Sequence, residues 1–249
     1  MKNKSFVISN FWSNGLCNPQ LSTDNVHVWL AELNVPLGRL IAYEKLLVDD
    51  ERNRARLFHF ARDRDHYIAG RGMLRVMLGR YLDKLPMEID IVFGEYDKPF
   101  LSSGEVQFNL AHSGNLALYA FCLDQEVGID IEAEQELIDT LAIAKHFFSP
   151  SEYNTLLSTP KEQQTSAFYR CWTRKEAFIK AVGEGLSYPL DAFDVTLASD
   201  EPARLLSIYG NEDEARRWSL FSLPTPNGYH AALVVAGIGK QVQLWKYAG

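Results

Sequence analysis

With 249 residues, 47% of them hydrophobic and 23% charged, the chain has ordinary globular composition and is long enough for one large domain or two small ones. Its apolar runs are short and broken by polar residues, which leaves no readable membrane span, and its net charge of −7 argues against general nucleic-acid binding. The three cysteines, Cys17, Cys122 and Cys171, are far apart and form no CxxC pair; they argue against a disulfide framework or zinc site and for a reducing, cytoplasmic setting.

Lys2 and Lys4 superficially suggest a signal peptide, but Ser5, Ser9 and Asn10 interrupt any apolar core, so the segment reads as mature protein. Residues 26–33 read as a strand, bounded by Pro36 and Gly38. Asp49 or Asp50 can cap a helix carrying the first arginines, and residues 62–82 read as a second helix packed through Tyr67, Gly70, Leu74, Met77, Leu78 and Tyr81. From Arg52 to Arg80 eight arginines face only two acids, Asp63 and Asp65. Such a basic patch on an acidic body suits a small polyanionic ligand. Arg64, Arg71 and Arg75 fall on one line of that helix, which equally describes a solvated face.

Ile89, Ile91 and Phe93 alternate as in a strand, and a polar loop with Lys98, Pro99 and Gly104 follows. Residues 116–123 and 127–131 are apolar runs separated by Asp124, Gln125 and Glu126, and read as a hairpin or closely linked strand pair. Ser149-Pro150-Ser151-Glu152 is a capping box with proline at the first helical position. Thr159-Pro160-Lys161-Glu162 repeats that device and opens a helix running to about Val182, stopped by Gly183 and Gly185. Its buried side is marked by Phe168, Cys171, Trp172, Ile179 and Val182. Strands follow at residues 193–197, 218–223 and 230–235, with a turn at Pro224, Pro226, Asn227 and Gly228. No internal repeat is legible.

Three segments carry candidate chemistry. In Gly128-Ile129-Asp130-Ile131-Glu132, strand alternation places both carboxylates on one face. They repel unless a cation lies between them or water screens them, and an all-oxygen donor set suits magnesium. A solvated strand end with two exposed acids fits the same residues. In Trp172-Thr173-Arg174-Lys175-Glu176-Ala177-Phe178-Ile179-Lys180, helical spacing puts Thr173, Glu176 and Lys180 on one polar face. Glu176 and Lys180 form either an ordinary ion pair, contributing about 0.3–0.5 kcal/mol, or a metal ligand with a phosphate-binding lysine. Asn109-Leu110-Ala111-His112-Ser113-Gly114 lacks the G-x-S-x-G elbow of a hydrolase, and reads as a loop gripping a ligand or as the site of a structural histidine.

Together these segments resemble the Sfp-type 4′-phosphopantetheinyl transferases. Phe108 to Ser113 is similar to that family's F-N-x-S-H-S, with Ala111 where serine is common, and Val127 to Glu132 to its V-G-I-D-I-E. Phe147-Phe148-Ser149-Pro150-Ser151-Glu152 resembles F-F-S-x-x-E, and Trp172 to Leu186 the pattern W-x-x-K-E-A-F-I-K-A-x-G-x-G-L. Lys98-Pro99 and residues 58–75 also fall in family order, so the resemblance spans about residues 50–197.

The resemblance implies an α+β fold of two similar subdomains, a pseudo-dimer in one chain, with halves 1–125 and 126–249 and the ligands in the cleft between them. It implies Mg²⁺, with Mn²⁺ as a substitute, held by Asp130, Glu132 and Glu176. Coenzyme A phosphates would meet Arg71, Lys98, His112, Ser113 and Lys175, and less securely Arg54 and Arg75. Lys180 would lie near the reacting serine, and Glu152 near the metal. It implies transfer of phosphopantetheine to a serine of an apo acyl, aryl or peptidyl carrier protein by a cytoplasmic monomer, with no nucleic acid or membrane partner. Glu176, Glu152 and a metal-bound water are the candidate bases. Two other readings use the same residues. A metal-dependent phosphohydrolase would release free phosphopantetheine without a carrier, and a nucleic-acid binder would be salt-sensitive and indifferent to Asp130.

Overall fold

A strand without charged side chains needs cover on both faces, and Leu116–Cys122, all seven residues buried, has it. The computed structural model describes residues 12–15, 19–135 and 139–248; Lys2, Lys4 and Cys17 lie outside them. The first half runs β1 (Ser13–Asn14), β2 (Asn25–Glu32), α1 (Leu37–Leu46), α2 (Asp49–Arg56), α3 (Ala61–Leu82), β3 (Ile91–Phe93), β4 (Pro99–Leu101), β5 (Gln107–Ser113) and β6 (Leu116–Cys122). The second runs β7 (Val127–Ala133), α4 (Thr140–Phe147), α5 (Pro150–Ser158), α6 (Lys161–Val182), β8 (Phe193–Val195), β9 (Leu205–Ile208), α7 (Glu212–Ala215), β10 (Trp218–Ser222) and β11 (Tyr229–Ala236), before a last strand, β12 (Gln241–Lys246). Among the described residues no helix is long and apolar enough to cross a membrane.

The two halves repeat one α+β plan, as the family resemblance implies, although no repeat is legible in the residues themselves. Each begins with a strand, continues through two short helices and a 22-residue helix, adds a two-stranded ribbon, and ends with an antiparallel strand pair. In each the last strand of the pair lies in the middle: β2-β6-β5 in the first sheet, β7-β11-β10 in the second. The first sheet is extended by β12, parallel to β2, and by β1, so the C-terminal strand crosses the expected boundary at residue 125.

Strand alternation sorts the core into layers. Trp29, Tyr119 and Phe121 face Met73, Leu74, Met77 and Leu78 of α3. On the opposite face Val28, Leu118 and Ala120 meet Ile129, Ile131, Leu233 and Val235 of the second sheet. Beyond that sheet Ala232 and Val234 pack on Phe168, Cys171, Phe178 and Ile179 in the core containing α6. The order is helix, sheet, sheet, helix, with the two sheets forming the junction between halves.

Several local expectations change. β6 and β7 do not form a hairpin: β6 is already paired on both edges by β2 and β5, so β7 joins β11 in the other sheet. The arginine line on α3 is not a solvated face, because Arg71 and Arg75 are buried. Ile89 lies outside β3, which begins at Ile91. The capping box at Ser149 forms as expected, but Thr159 does not cap α6: its hydroxyl donates to Thr155 O and closes α5 instead, leaving Pro160 at the cap position.

Candidate active site

Asp130 and Glu132 share the face of β7 that α6 covers, while Ile129 and Ile131 point into the inter-sheet core. Gly128 makes the close approach possible. A Cβ there would lie 2.0 Å from Ala177 O and 2.3 Å from Ala181 N, so only a bare backbone lets α6 rest on the strand. That contact brings Glu176 and Lys180 beside the strand carboxylates.

The Lys180 ammonium donates to Asp130 Oδ1 at 2.6 Å rather than pairing along the helix with Glu176. Burial pushes the Asp130 carboxyl above the usual carboxylate range, with Lys180 opposing. Burial pulls Lys180 the other way, but Asp130, Glu176 and Glu132 outweigh it and raise its pKa. Glu132 is raised by burial and then by Asp130, and its Oε2 accepts from Ser113 Oγ at 2.8 Å. Glu176, pushed up to about 7 by burial and by Asp130, lines the cleft.

Asp130 Oδ2 is buried and without a partner, an arrangement that costs free energy unless something else fills it. The donor chemistry there, carboxylate oxygen throughout, fits a hard divalent cation. Among the described residues no group of three His, Cys, Asp or Glu encloses a point. An ion there would therefore take its remaining ligands from water and from phosphate oxygens, as magnesium commonly does.

The facing wall comes from the first half. Two adjoining cavities, about 280 and 350 Å³, share Asp97, Pro99, Leu110 and Lys180. Arg54 of α2, Tyr67 and Arg71 of α3, Phe93 of β3 and His112 of β5 line the larger. The Arg71 guanidinium stacks 5.3 Å from the Phe93 ring and 5.9 Å from the Tyr67 ring, and its Nη1 is buried without an acceptor. The cleft walls, and next Lys180, lower the pKa of His112, although its ring reaches solvent. Residues 109–113 are not a gripping loop but the strand β5. Within it Asn109 Oδ1 accepts from Ile129 N at 2.9 Å, and Ser113 Oγ accepts from Ala133 N at 3.0 Å, tying the two halves together.

Four expected site residues are committed elsewhere. Lys175 is fully buried, 2.8 Å from Glu152 and bonded to the carbonyls of Leu190 and Phe193, not to cleft atoms. Glu152 is spent on that pair and on the amides of Ser149 and Val195. Arg75 is buried against Glu51 at 2.6 Å and the carbonyls of Pro86 and Ile89. Ser113 turns to Glu132. Lys98 borders the cleft, but its ammonium donates to Ala181 O at 2.8 Å. Conversely Phe93, Asp97 and Leu110 line the cleft without having been read as site residues; Asp97 lies in the turn before Lys98-Pro99, with a φ of 58°.

Comparison with known proteins gives the family. A family model described as the 4′-phosphopantetheinyl transferase superfamily matches residues 126–234, and one described as 4′-phosphopantetheinyl transferase, N-terminal, matches residues 38–123. The chain is 38% identical over 234 residues to the 4′-phosphopantetheinyl transferase HetI of a Nostoc species, covering 92% of this chain and 95% of that protein. It is 38% identical over 152 residues to the 4′-phosphopantetheinyl transferase Sfp of Bacillus subtilis, covering 61% and 66%. Among solved structures, holo-[acyl-carrier-protein] synthase from Neisseria meningitidis aligns with 45% of this chain and 96% of its own at 21% identity, with a TM-score of 0.37.

Proposed function

Since the chain belongs to the 4′-phosphopantetheinyl transferase superfamily, we propose that it moves the phosphopantetheine arm of coenzyme A onto a serine of an apo carrier protein, releasing 3′,5′-ADP, with Mg²⁺ in the cleft. The observation that carries this reading is the cleft itself: Asp130, Glu132, Glu176 and Lys180 of one half face Arg54, Arg71 and His112 of the other.

Arg71 offers the orphaned Nη1 to a phosphate oxygen, with Arg54 and His112 beside it. Asp130 and Glu132 would hold the cation, with Glu176 completing the carboxylate side. Bound there, Mg²⁺ would offset the charge that develops on the departing 3′,5′-ADP. Lys180, fixed by Asp130, brings a positive charge to the same place. The serine hydroxyl attacks the β-phosphorus, the bond to the 3′,5′-ADP oxygen breaks, and the serine proton needs an acceptor. Glu176 lines the cleft and is not bound in an ion pair, whereas Glu152 is locked to Lys175. We therefore assign the base to Glu176. Most of the acceleration comes from positioning and electrostatics, as in phosphoryl transfer generally. Buried free thiols at Cys122 and Cys171 support the cytoplasmic setting.

The test is intact-mass spectrometry of an apo carrier protein incubated with this chain, coenzyme A and Mg²⁺. A gain of one phosphopantetheine group that disappears with EDTA is the expected result. Free phosphopantetheine without any carrier adduct would replace the reading with a hydrolase.

A further inference from the structure

Lys98 borders the coenzyme cleft yet spends its ammonium on protein backbone. Its Nζ donates to Ala181 O at 2.8 Å and reaches Val127 O at 3.4 Å. Ala181 lies in the last turn of α6, where carbonyls have no partner within the helix and the dipole favours a cation. Lys98 is thus a C-terminal cap supplied by the other half of the molecule. Burial pulls its pKa down to about 8, the sign of an ammonium withdrawn from water.

The backbone that presents Lys98 is equally constrained. Gly94 N donates to Lys98 O at 3.0 Å, Asp97 N donates to Gly94 O at 3.1 Å, and Asp97 adopts its left-handed φ of 58° between them. The β3–β4 ribbon that carries this turn has two strands and joins neither larger sheet. Such ribbons are marginal by themselves and take their position from side-chain attachments. Phe93 under the Arg71 guanidinium is one attachment, and Lys98 is another. Phe93, Asp97 and Pro99 form one wall of the cleft; Glu176 and Lys180 of α6 form part of the other.

We propose that Lys98 is a positioning residue, a latch that fixes the ribbon wall against the end of α6 and so sets the width of the cleft, and is not a ligand of the coenzyme's 3′-phosphate. This rests on the coenzyme A reading above. It differs from the role the sequence resemblance implies, because two of the three ammonium donors are already directed at the carbonyls of Ala181 and Val127.

Two ligands that differ only in the 3′-phosphate separate the alternatives. Binding of coenzyme A and of 3′-dephospho-coenzyme A is measured by titration calorimetry in the wild type, Lys98→Met, Lys98→Gln and Lys98→Arg, alongside steady-state transfer to a carrier. A latch loosens the cleft for both compounds by the same factor, on the order of tenfold in Kd for Lys98→Met. It leaves the KM for the carrier within about twofold, and Lys98→Arg recovers most of the loss. Weakened coenzyme A binding with unchanged dephospho-coenzyme A binding would overturn the latch in favour of a phosphate contact. Unchanged affinity for both in a folded variant would overturn it too, leaving only a contribution to stability. A wild type that binds neither compound would overturn the coenzyme A reading and the latch with it.

Discussion

Arg75 and Lys175 occupy the same position in two 22-residue helices, Ala61–Leu82 and Lys161–Val182, and each is buried against a glutamate from the preceding short helix. The glutamates correspond as well. Glu51 and Glu152 are each the third residue of their helix, and each accepts from the backbone N–H of its cap residue, Val48 or Ser149. Both cations then reach two carbonyls just beyond their long helix: Pro86 and Ile89 for Arg75, Leu190 and Phe193 for Lys175. One device, a buried ion pair that fastens a short helix to a long one and to the chain that follows it, is built twice.

Removing one partner of such a pair strands a charge. Lys175→Met leaves Glu152 2% exposed with no cation, and we expect a loss of about 3–5 kcal/mol in urea denaturation. Adding Glu152→Gln to Lys175→Met should recover part of it, since no buried charge then remains. If Lys175 were a phosphate ligand instead, the single variant would keep its stability and lose coenzyme A affinity.

Asp130 should behave in the opposite way. Its carboxylate is 3% exposed with Oδ2 unpartnered, and the Lys180 side chain it holds is 29% exposed with Glu176 and Glu132 also beside it, so Asp130→Asn seals in no charge without a counter-charge and should not lower the melting temperature by more than a few degrees. Transfer to the carrier should fall at least about 100-fold, as when one preorganised electrostatic group is removed. Mn²⁺ binding, followed by electron paramagnetic resonance, should weaken in parallel. Full transfer with unchanged Mn²⁺ affinity would remove Asp130 from the metal site.

Gly128→Ala tests the packing that builds the cleft. The added methyl would sit 2.0 Å from Ala177 O, a backbone atom that cannot turn aside, so α6 must shift. We expect about 1–3 kcal/mol of destabilisation by denaturant. Transfer should fall more than the loss of folded protein explains, because Glu176 and Lys180 ride on the displaced helix.

His27 gives the fold an acid limit. It is 0% exposed, its Nδ1 lies 2.9 Å from Tyr81 Oη, and its Nε2 has no partner. Burial lowers its pKa from 6.5 to about 4. The unfolded chain therefore takes up the proton first as pH falls. His27 contributes its full stabilisation above pH 6.5 and loses it progressively down to about pH 4. In His27→Phe the stability difference from wild type should shrink across that window; a difference independent of pH would show that His27 does not titrate with folding.

The sequence by itself determined the local and the covalent. Alternation in Val127–Ala133 set both carboxylates on one face, the serine–proline–glutamate box started α5, and ordered motifs carried the family resemblance. Each of these depends on residues within one turn or one strand of each other. It also supplied the cleft residues Asp130, Glu176, Lys180, Arg71 and His112. Only the tertiary structure decided which cations face the cleft and which are spent on the fold. Arg71 and Arg75 lie one helical turn apart and look alike in sequence, yet Arg71 keeps a free donor in the cleft while Arg75 is sealed against Glu51. Lys175 and Lys180 divide in the same way, one to Glu152 and one to Asp130. No repeat was legible in the residues themselves for a related reason. The repeat conserves an ion pair's geometry with arginine in one half and lysine in the other, and a cation's fate is set by the carboxylate or carbonyl that folding brings to it, 24 residues away for Arg75 and 50 for Lys180.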